Sequence, residues 1–412
     1  MQRLAAGAPL ALAANRLHGR SDDNTTANER TDETGPYAEG VLPSGVRSRF
    51  VDGINGLRMH VLEAGYESGT RPCVLLLHGF PELAYSWRKI MVPLATAGFH
   101  VLAPDQRGYG RTTGWDGDYD GDLASFRRLN IVRDALGLVF AFGHRTVAAV
   151  VGHDFGSPIA AWCAVIRPDV FRSVALMSAP FGGTPSLPFH TANNAPPAAS
   201  SPGPGLADQL AALPRPRKHY QQYYTTRGAD EDMRNAPQGI HAFLRAYFHY
   251  KSADWQGNKP FPLAARTAVE MAKMPTYYIM NLDEGMAQTV AAHMPSPEEI
   301  AVNRWLPDDE LRAYSKEYRR TGFQGGLNWY RSGDIGSAEQ QLFTNRTIDQ
   351  PSIFISGASD WGSHQSPGAL ERMRNAACTD LRGVHLIAGA GHWVQQEQPE
   401  QTSRLLIDFL TP

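Results

Sequence analysis

The sequence predicts an α/β protein with a mostly parallel sheet and a helical domain inserted late in the chain. Three observations lead to this fold class. From Arg47 onward, short apolar runs alternate with amphipathic stretches, which is the pattern of strands covered by helices. Between Pro180 and Pro351 the composition changes to a Pro-rich loop followed by aromatic, amphipathic stretches. The chain of 412 residues is also long enough to bury a large core beside such an insertion.

Eight apolar runs are predicted to be strands, because they are rich in Val, Ile and Leu and are bounded by turn-forming residues. They are 48–53, 57–64, 73–79, 99–105, 146–154, 172–180, 351–360 and 384–392. A helix is predicted over 124–143, where apolar residues recur with helical spacing. A final helix is predicted over 399–410, and Pro399 suits its first turn.

The predicted domain organisation has three parts. Residues 1–46 are Ala-rich and then polar, so we expect a disordered leader, with a weak targeting signal as the alternative. Residues 47–180 and 349–412 are expected to form the core domain. Residues 181–348 are expected to form a helical cap, or lid, which includes a Pro-rich loop at 182–216. This insertion would cover the carboxyl ends of the strands, where open α/β sheets bind ligands.

Composition and charge exclude several classes of function. The 39 basic and 41 acidic residues give a net charge of -2, so no nucleic-acid partner is predicted. No apolar run reaches the roughly 18 residues that a membrane span requires. Cys73, Cys163 and Cys378 lie far apart in apolar surroundings, so we expect free thiols and a cytoplasmic location. The chain has neither paired Cys/His spacing nor a dinucleotide motif, so we expect no metal and no cofactor.

The stretch 150-VVGHDFGSPIA-160 has the pattern of a strand, a tight turn and a helix. Gly152 and Gly156 stand two residues before and two residues after Asp154, as in a nucleophile elbow. Hydrolases of ordinary esters usually carry serine at the centre of this turn. The position of Asp154 therefore raises the question of what a carboxylate there would attack.

Asp154, Asp360 and His392 each follow an apolar run, in the chain order nucleophile, acid, histidine. This is the order of the catalytic triad in the α/β-hydrolase fold, with Asp in place of Ser. A single Asp at a strand end is more often a helix cap, but all three residues in this order favour a catalytic set. The sequence thus predicts an α/β-hydrolase fold with a mostly parallel, eight-stranded sheet and an inserted helical cap domain.

The segment 77-LHGFPE-82 follows the third predicted strand and is a candidate for part of an oxyanion hole. The backbone N–H of Phe80 could join that of Phe155, the residue after the proposed nucleophile. Pro81 has no N–H, and a cis bond before it would turn the Phe80 amide inward. An ordinary turn at the end of a strand is the alternative interpretation.

Seven motifs are HGFPE at 78–82, DQRGYGRT at 105–112, GHDFG at 152–156, HYQQYY at 219–224, GFQGGLNWYR at 322–331, SGASDW at 356–361 and GHWVQQEQPE at 391–400. Together they resemble the epoxide hydrolases of the soluble type, which are members of the α/β-hydrolase superfamily. The resemblance runs from about Arg47 to the C-terminus and leaves out the Pro-rich loop. It implies two lid acids, Tyr330 and, from a looser match, Tyr220. Tyr223 or Tyr224 could take the place of Tyr220.

The resemblance implies that an apolar epoxide and water react without a cofactor to give a vicinal diol. A carboxylate is a poor attacker of esters, but it can open an epoxide at carbon and leave an ester on Asp154. His392, oriented by Asp360, would activate the water that cleaves this ester, while lid tyrosines protonate the epoxide oxygen. Three further residues are expected to line the substrate pocket: Pro81, Trp361 and Trp393.

Two other functions stay open from the sequence. A dehalogenase would use the same Asp nucleophile, but Phe80 and Phe155 stand where haloalkane dehalogenases carry Asn and Trp as halide donors. Dehalogenases of haloacids need an Arg beside the nucleophile, and neither neighbour of Asp154 is one. A non-catalytic scaffold that binds a small molecule would not need the whole set of reacting side chains. The epoxide itself, the regiochemistry and the oligomeric state cannot be predicted from the sequence.

Overall fold

The structure, a computed structural model, contains one large central sheet with helices packed around it. It describes residues 35–186, 204–333 and 337–411. The chain divides into two compact units, Met1–Ala38 and Glu39–Pro412, and every element named below belongs to the second. Most of the predicted leader therefore lies outside the described residues.

The described residues contain ten strands. In chain order they are β1 (Val46–Ile54), β2 (Leu57–Ala64), β3 (Cys73–Leu77), β4 (His100–Pro104), β5 (Val147–His153), β6 (Val174–Met177), β7 (Arg217–His219), β8 (Ile279–Asn281), β9 (Ser352–Gly357) and β10 (Leu381–Ile387). Eight of them form the central sheet in the order β1-β2-β4-β3-β5-β6-β9-β10. The pairs β1/β2 and β2/β4 are antiparallel, and all other neighbours in this sheet are parallel. The prediction of a mostly parallel, eight-stranded sheet is confirmed.

Four strands of the central sheet are buried over their whole length, which explains why they are nearly continuous apolar runs. All residues of β3, β4, β6 and β9 are buried, as expected for parallel strands covered on both faces. The strand predicted over 73–79 ends earlier, at Leu77. It ends there because His78 turns to accept the backbone N–H of Gln106, at 3.1 Å. Gly79 then lies against the side chain of Asp154, where an added Cβ would be 2.4 Å from Oδ1.

Sixteen α-helices are described. They are α1 (Arg88–Thr96), α2 (Arg128–Ala141), α3 (Gly156–Ile166), α4 (Leu206–Ala211), α5 (Tyr220–Tyr224), α6 (Gly228–Arg234), α7 (Ile240–Lys251), α8 (Ala268–Met271), α9 (Met286–Ala291), α10 (Pro297–Val302), α11 (Asp308–Thr321), α12 (Gln324–Arg331), α13 (Ser337–Gln340), α14 (Ala369–Arg372), α15 (Val394–Glu397) and α16 (Pro399–Leu410). Among these described helices, none has the length and apolarity needed to cross a lipid bilayer.

Two of these helices correspond to the helices predicted in the core. The final helix α16 has the bounds that its sequence predicts. The helix predicted over 124–143 is instead divided into a 3-10 turn, Leu123–Phe126, and α2. The division falls at Arg127, whose ψ of 144° is not helical, and Asp122 caps the turn through the N–H of Ala124.

The described residues between β6 and β9 form a mainly helical insertion with the small antiparallel sheet β7/β8. Its central helix α7 packs against α11 through aromatic side chains, with the Phe248 and Tyr314 rings 5.1 Å apart. Within the range predicted as a Pro-rich loop, 182–216, the structure has helix α4, and residues 187–203 lie outside the described part. The exact boundaries of a core and a cap domain stay a prediction.

Candidate active site

Asp154 occupies the tight turn between β5 and α3. Its φ of +52° lies in the left-handed region, which is uncommon for a residue with a side chain. The turn is possible because the flanking residues are glycine. A Cβ on Gly152 would lie 2.1 Å from the carbonyl oxygen of Gly156, and a Cβ on Gly156 would lie 2.1 Å from that of Leu77. The elbow predicted from the sequence is therefore the conformation of this segment.

Each carboxylate oxygen of Asp154 faces a different group. The N–H of Phe80 donates to Oδ1 at 2.9 Å, and the Phe80–Pro81 peptide bond is cis. Nε2 of His392 lies 3.3 Å from Oδ2. Burial alone would raise the pKa of Asp154, but His392, followed by Lys251, lowers it below its ordinary value. Asp154 is therefore ionised at neutral pH.

The second ring nitrogen of His392 faces Asp360. Nδ1 lies 3.1 Å from Asp360 Oδ1 and 2.9 Å from the hydroxyl of Ser178. Ser178 donates to Asp360 Oδ2 at 2.6 Å, Ser356 donates to the same oxygen at 3.0 Å, and the N–H of Gly362 donates to Oδ1 at 2.7 Å. Burial opposes ionisation of Asp360, but His392 and Ser178 outweigh it and lower the pKa to about 2. The structure thus brings the predicted Asp154, His392 and Asp360 together in one chain of contacts.

The loop that carries His392 is held by groups distant in sequence. Its N–H donates to the carbonyl of Lys251 at 2.9 Å, and its carbonyl oxygen lies 2.7 Å from Nε2 of His153. The N–H groups of the two neighbouring residues, Gly391 and Trp393, both donate to the buried carboxylate of Glu397, each at 2.9 Å. Both backbone groups of His392 and the N–H groups of its two neighbours therefore have partners, and these bonds hold the loop in place.

Asp154 opens onto a cavity of about 520 Å³ that both predicted lid tyrosines line. Tyr330, on α12, packs edge-on against Phe155 with 4.6 Å between the ring centres. Tyr220, on α5, donates to the side chain of Gln365 at 3.2 Å. Burial, followed by the charge of Asp154, raises the pKa of Tyr220 well above its ordinary value. The pKa of Tyr330 is raised likewise, by burial first and then by Tyr220 and Asp154. Both hydroxyls therefore keep their protons at neutral pH.

The other two tyrosines of α5 point elsewhere. The hydroxyl of Tyr223 donates to Asp232, and that of Tyr224 lies 3.1 Å from the hydroxyl of Tyr247. Neither lines the cavity that contains Asp154. The geometry therefore favours Tyr220 among the candidates that the sequence left open.

The three residues predicted to line the substrate pocket do not line this cavity, whose described apolar wall is formed by Phe155, Pro158, Ala179 and Trp329. Trp393 packs behind His392, with 4.6 Å between ring centres, and its Nε1 donates to the carbonyl of Phe248 at 2.8 Å. Trp361 stacks edge-on with Phe261, 5.0 Å away. A role in substrate binding stays a prediction for Trp361, Trp393 and Pro81, and the lining of this cavity does not support it.

Several residues at the site were not identified from the sequence. Ser178 contacts both His392 and Asp360, but it follows a short strand and has no motif of its own. Lys251 is buried at the end of α7, with its Nζ 5.1 Å from the ring centre of Tyr278. Burial lowers the pKa of Lys251, while Asp154 and Asp360 act in the opposite direction. No local pattern distinguishes these residues, because their partners are far away in the chain.

Comparison with known proteins agrees with this arrangement. Residues 72–399 match the family model described as alpha/beta hydrolase fold. Epoxide hydrolase A of Mycobacterium tuberculosis is 32% identical over 373 residues, which are 88% of this chain and 97% of that protein. The chain belongs to the epoxide hydrolase family. Its predicted α/β-hydrolase fold is thereby confirmed.

Solved structures of epoxide hydrolases superpose on the chain over most of its length. An epoxide hydrolase from an endophytic Streptomyces has a TM-score of 0.68 and 31% identity, with 89% of this chain and 96% of that one covered. Epoxide hydrolase A from Mycobacterium thermoresistibile has a TM-score of 0.67 and 32% identity, with 89% and 98% covered. By sequence alone, the epoxide hydrolase of Caballeronia sordidicola is 31% identical to the chain, and the match covers 86% of this chain and 91% of that protein.

Proposed function

We propose that this chain hydrolyses epoxides to vicinal diols through an ester formed on Asp154. One observation carries the proposal: an ionised carboxylate at the elbow faces a cavity that also holds two protonated tyrosines. This combination suits an electrophile whose leaving oxygen remains attached to the substrate. Membership of the epoxide hydrolase family supports the same reaction.

In the first step, Oδ2 of Asp154 attacks a ring carbon of the epoxide, and the bond between that carbon and the ring oxygen breaks. Oδ1 stays on the N–H of Phe80, at the observed distance of 2.9 Å. The ring oxygen receives a proton from Tyr330 or Tyr220, because an alkoxide is a much stronger base than a phenolate. The product of this step is an ester between Asp154 and the substrate.

In the second step, His392 deprotonates a water molecule that attacks the carbonyl carbon of the ester. Esterification removes the negative charge 3.3 Å from Nε2, so this nitrogen becomes available to accept a proton. Asp360 stabilises the imidazolium that results. The oxyanion is held by the N–H groups of Phe80 and Phe155, and loss of one such donor typically costs about 10²- to 10³-fold in rate. Its collapse breaks the bond between the carbonyl carbon and the substrate oxygen, and that oxygen leaves as the second hydroxyl of the diol with the proton held by His392. The carboxyl group formed on Asp154 returns its proton to the tyrosinate, which restores the starting protonation states.

A dehalogenase is the main competing assignment, and the same assay separates the two. A departing halide carries a full charge and needs side-chain donors around it. The indole N–H of Trp329, in the cavity wall, already donates to the carbonyl of Arg107 at 2.8 Å. We expect diol formation from styrene oxide, with little halide release from dibromoethane or fluoroacetate.

The contrary result would be steady halide release with no diol from any epoxide. If neither substrate reacts and intact-mass measurement finds no alkylated protein, the chain would instead be a non-catalytic binding scaffold. His392→Ala supplies the control for that measurement. It should accumulate the Asp154 ester, whereas Asp154→Ala should accumulate none.

A further inference from the structure

The buried side chain of Lys251 carries a positive charge that the proposed reaction does not use. Lys251 is the last residue of α7, and only 3% of its surface is exposed. Its Nζ makes no hydrogen bond or ion pair with any of the described residues. Instead, Nζ lies 5.1–5.8 Å from the centres of four aromatic rings: Tyr247, Tyr277, Tyr278 and Trp393. A lysine is rarely buried without a paired carboxylate, so this position calls for a functional explanation.

The backbone of Lys251 is bonded to that of His392. The N–H of His392 donates to the carbonyl of Lys251 at 2.9 Å. The two segments can approach this closely because Gly391 has no side chain, and a Cβ there would lie 2.6 Å from the same carbonyl oxygen. Only the main chain of Lys251 takes part in this bond. A substitution of its side chain therefore keeps the bond to His392.

The carboxylates of Asp154 and Asp360 have only neutral hydrogen-bond donors besides His392. Asp154 accepts a backbone N–H, and Asp360 accepts two serine hydroxyls and a backbone N–H. Both carboxylates, and that of Glu82, favour the protonated form of Lys251 against the effect of its burial. Glu82 has a cation of its own, because it lies 2.6 Å from His153. Burial opposes the charge of this histidine, but Glu82 outweighs burial and raises the pKa of His153.

One further carboxylate lies at the loop that carries His392. Glu397 accepts the N–H groups of the residues on both sides of this histidine. Burial raises the pKa of Glu397 to about 8, so it adds little negative charge at neutral pH. The uncompensated negative charges are thus those of Asp154 and Asp360, and Lys251 is the lysine that lowers the pKa of Asp154, after His392.

The imidazole of His392 lies between these two carboxylates. Nδ1 is 3.1 Å from Asp360 and has the partner that an N–H donor needs. Nε2 is buried and lies 3.3 Å from Asp154, but it makes no hydrogen bond with the described residues. An imidazolium would have a second N–H to donate there, so the geometry fits a neutral ring with a bare Nε2. Two adjacent carboxylates favour the charged ring, however, unless another cation balances them.

We propose that Lys251 is this cation and keeps the imidazole of His392 neutral, ready to accept a proton from water. The inference rests on the proposed ester mechanism and adds a residue that acts through His392 without touching the reacting atoms. With Lys251 present, the two carboxylates have one positive charge beside them. Without it, we expect the site to take up a proton on His392. A protonated His392 cannot act as a base, so the ester on Asp154 would be hydrolysed slowly.

Lys251→Met tests the inference, because methionine keeps an unbranched side chain of similar length but has no charge. Rapid quench with styrene oxide gives the rate of ester hydrolysis, with intact mass reporting the ester. Two charges about 10 Å apart, at an effective dielectric constant of about 20, interact by the equivalent of roughly one pH unit. We therefore expect hydrolysis in the variant to be about 10-fold slower than in the unmodified protein at about pH 7, and to approach the unmodified rate at about pH 9.

Two matched variants serve as controls. Lys251→Arg keeps the positive charge and should keep the pH dependence of the unmodified protein. Arg245→Met removes another buried cation from the same helix, one that forms an ion pair with Asp308 at 3.0 Å. It should leave the pH dependence unchanged. Because Glu397 titrates in every variant, the rates are compared between variants at each pH.

The shape of the pH profile decides the outcome. A structural role of Lys251 would lower the rate by the same factor at every pH, and such a constant deficit, or no deficit, would overturn the inference. Should Lys251→Met fail to fold, Lys251→Gln decides by the same criterion. If the unmodified protein forms no ester on Asp154, the proposed function fails and this inference with it. If the ester forms and both proteins hydrolyse it with the same pH dependence, the function stands and the role of Lys251 does not.

Discussion

Replacement of Ser178 should slow the second half-reaction and spare the first. Its hydroxyl donates to Asp360 at 2.6 Å and lies 2.9 Å from Nδ1 of His392, so it supports the acid and histidine but does not touch Asp154. Its φ of +67° is in the left-handed region, which disfavours alanine. Ser178→Gly is therefore the preferred variant, because glycine accepts this φ and still removes the hydroxyl.

The size of the effect follows from the partners that remain. A hydrogen bond to a charged group contributes about 1.5–3 kcal/mol, which corresponds to roughly a 10- to 150-fold change in rate. After the substitution Asp360 keeps Ser356, Gly362 and His392 as partners. Because three of four bonds persist, we expect the lower end of that range. Ester hydrolysis should slow by about 10-fold, while ester formation should change by less than about twofold.

Rapid-quench measurements with styrene oxide give the two rates separately, with intact mass reporting the ester on the protein. Ser363→Ala is the matched control. Ser363 is buried in the same cluster and donates to Ser356 at 2.8 Å, one bond further from Asp360. Accumulation of ester in Ser178→Gly but not in Ser363→Ala is the expected pattern. Equal effects of the two variants, or a slower first step in Ser178→Gly, would refute this reasoning.

Two further predictions concern protons. Tyr330→Phe and Tyr220→Phe should each slow ester formation by about 10²-fold or more and leave hydrolysis of a preformed ester nearly intact. The control Tyr223→Phe should leave both steps unchanged. An unaffected first step in Tyr330→Phe would remove that residue from the mechanism. Because the pKa of Asp360 is lowered to about 2, its ionised form stabilises the folded state at and above the ordinary pKa of about 3.9, and this contribution is lost as pH falls towards 2. Each tenfold change in proton affinity is worth about 1.4 kcal/mol. Between these two pH values, the free energy of unfolding measured with urea should therefore fall by about 2 kcal/mol, and this fall should be absent from Asp360→Asn.

The fold was predictable because its signals are local. A buried parallel strand is a short apolar run in any context, and the β3 and β5 sequences carry that pattern without help from their neighbours. The bounds were less predictable, because tertiary contacts set them. The strand predicted over 73–79 stops at Leu77, where His78 turns to meet Gln106, a residue from the loop after β4.

The same distinction applies to the site. Asp154, Asp360 and His392 could be found because each follows a strand, and their chain order matches a known arrangement. Ser178 and Lys251 could not, because their contacts join segments distant in sequence. The hydroxyl of Ser178 meets Asp360, 182 residues later in the chain. The choice among the tyrosines of α5 likewise depends on which hydroxyl the fold leaves facing the cavity.

The central claim is that Asp154 is the nucleophile, and isotope labelling tests it most directly. A single turnover of styrene oxide in heavy-oxygen water, with enzyme in excess, should give an unlabelled diol. The label should appear instead in the Asp154 carboxylate, in the peptide that spans 150–160, because water attacks the ester carbonyl and its oxygen remains on the protein. A first diol that carries the label, with an unlabelled Asp154, would mean direct attack by water and would contradict the account.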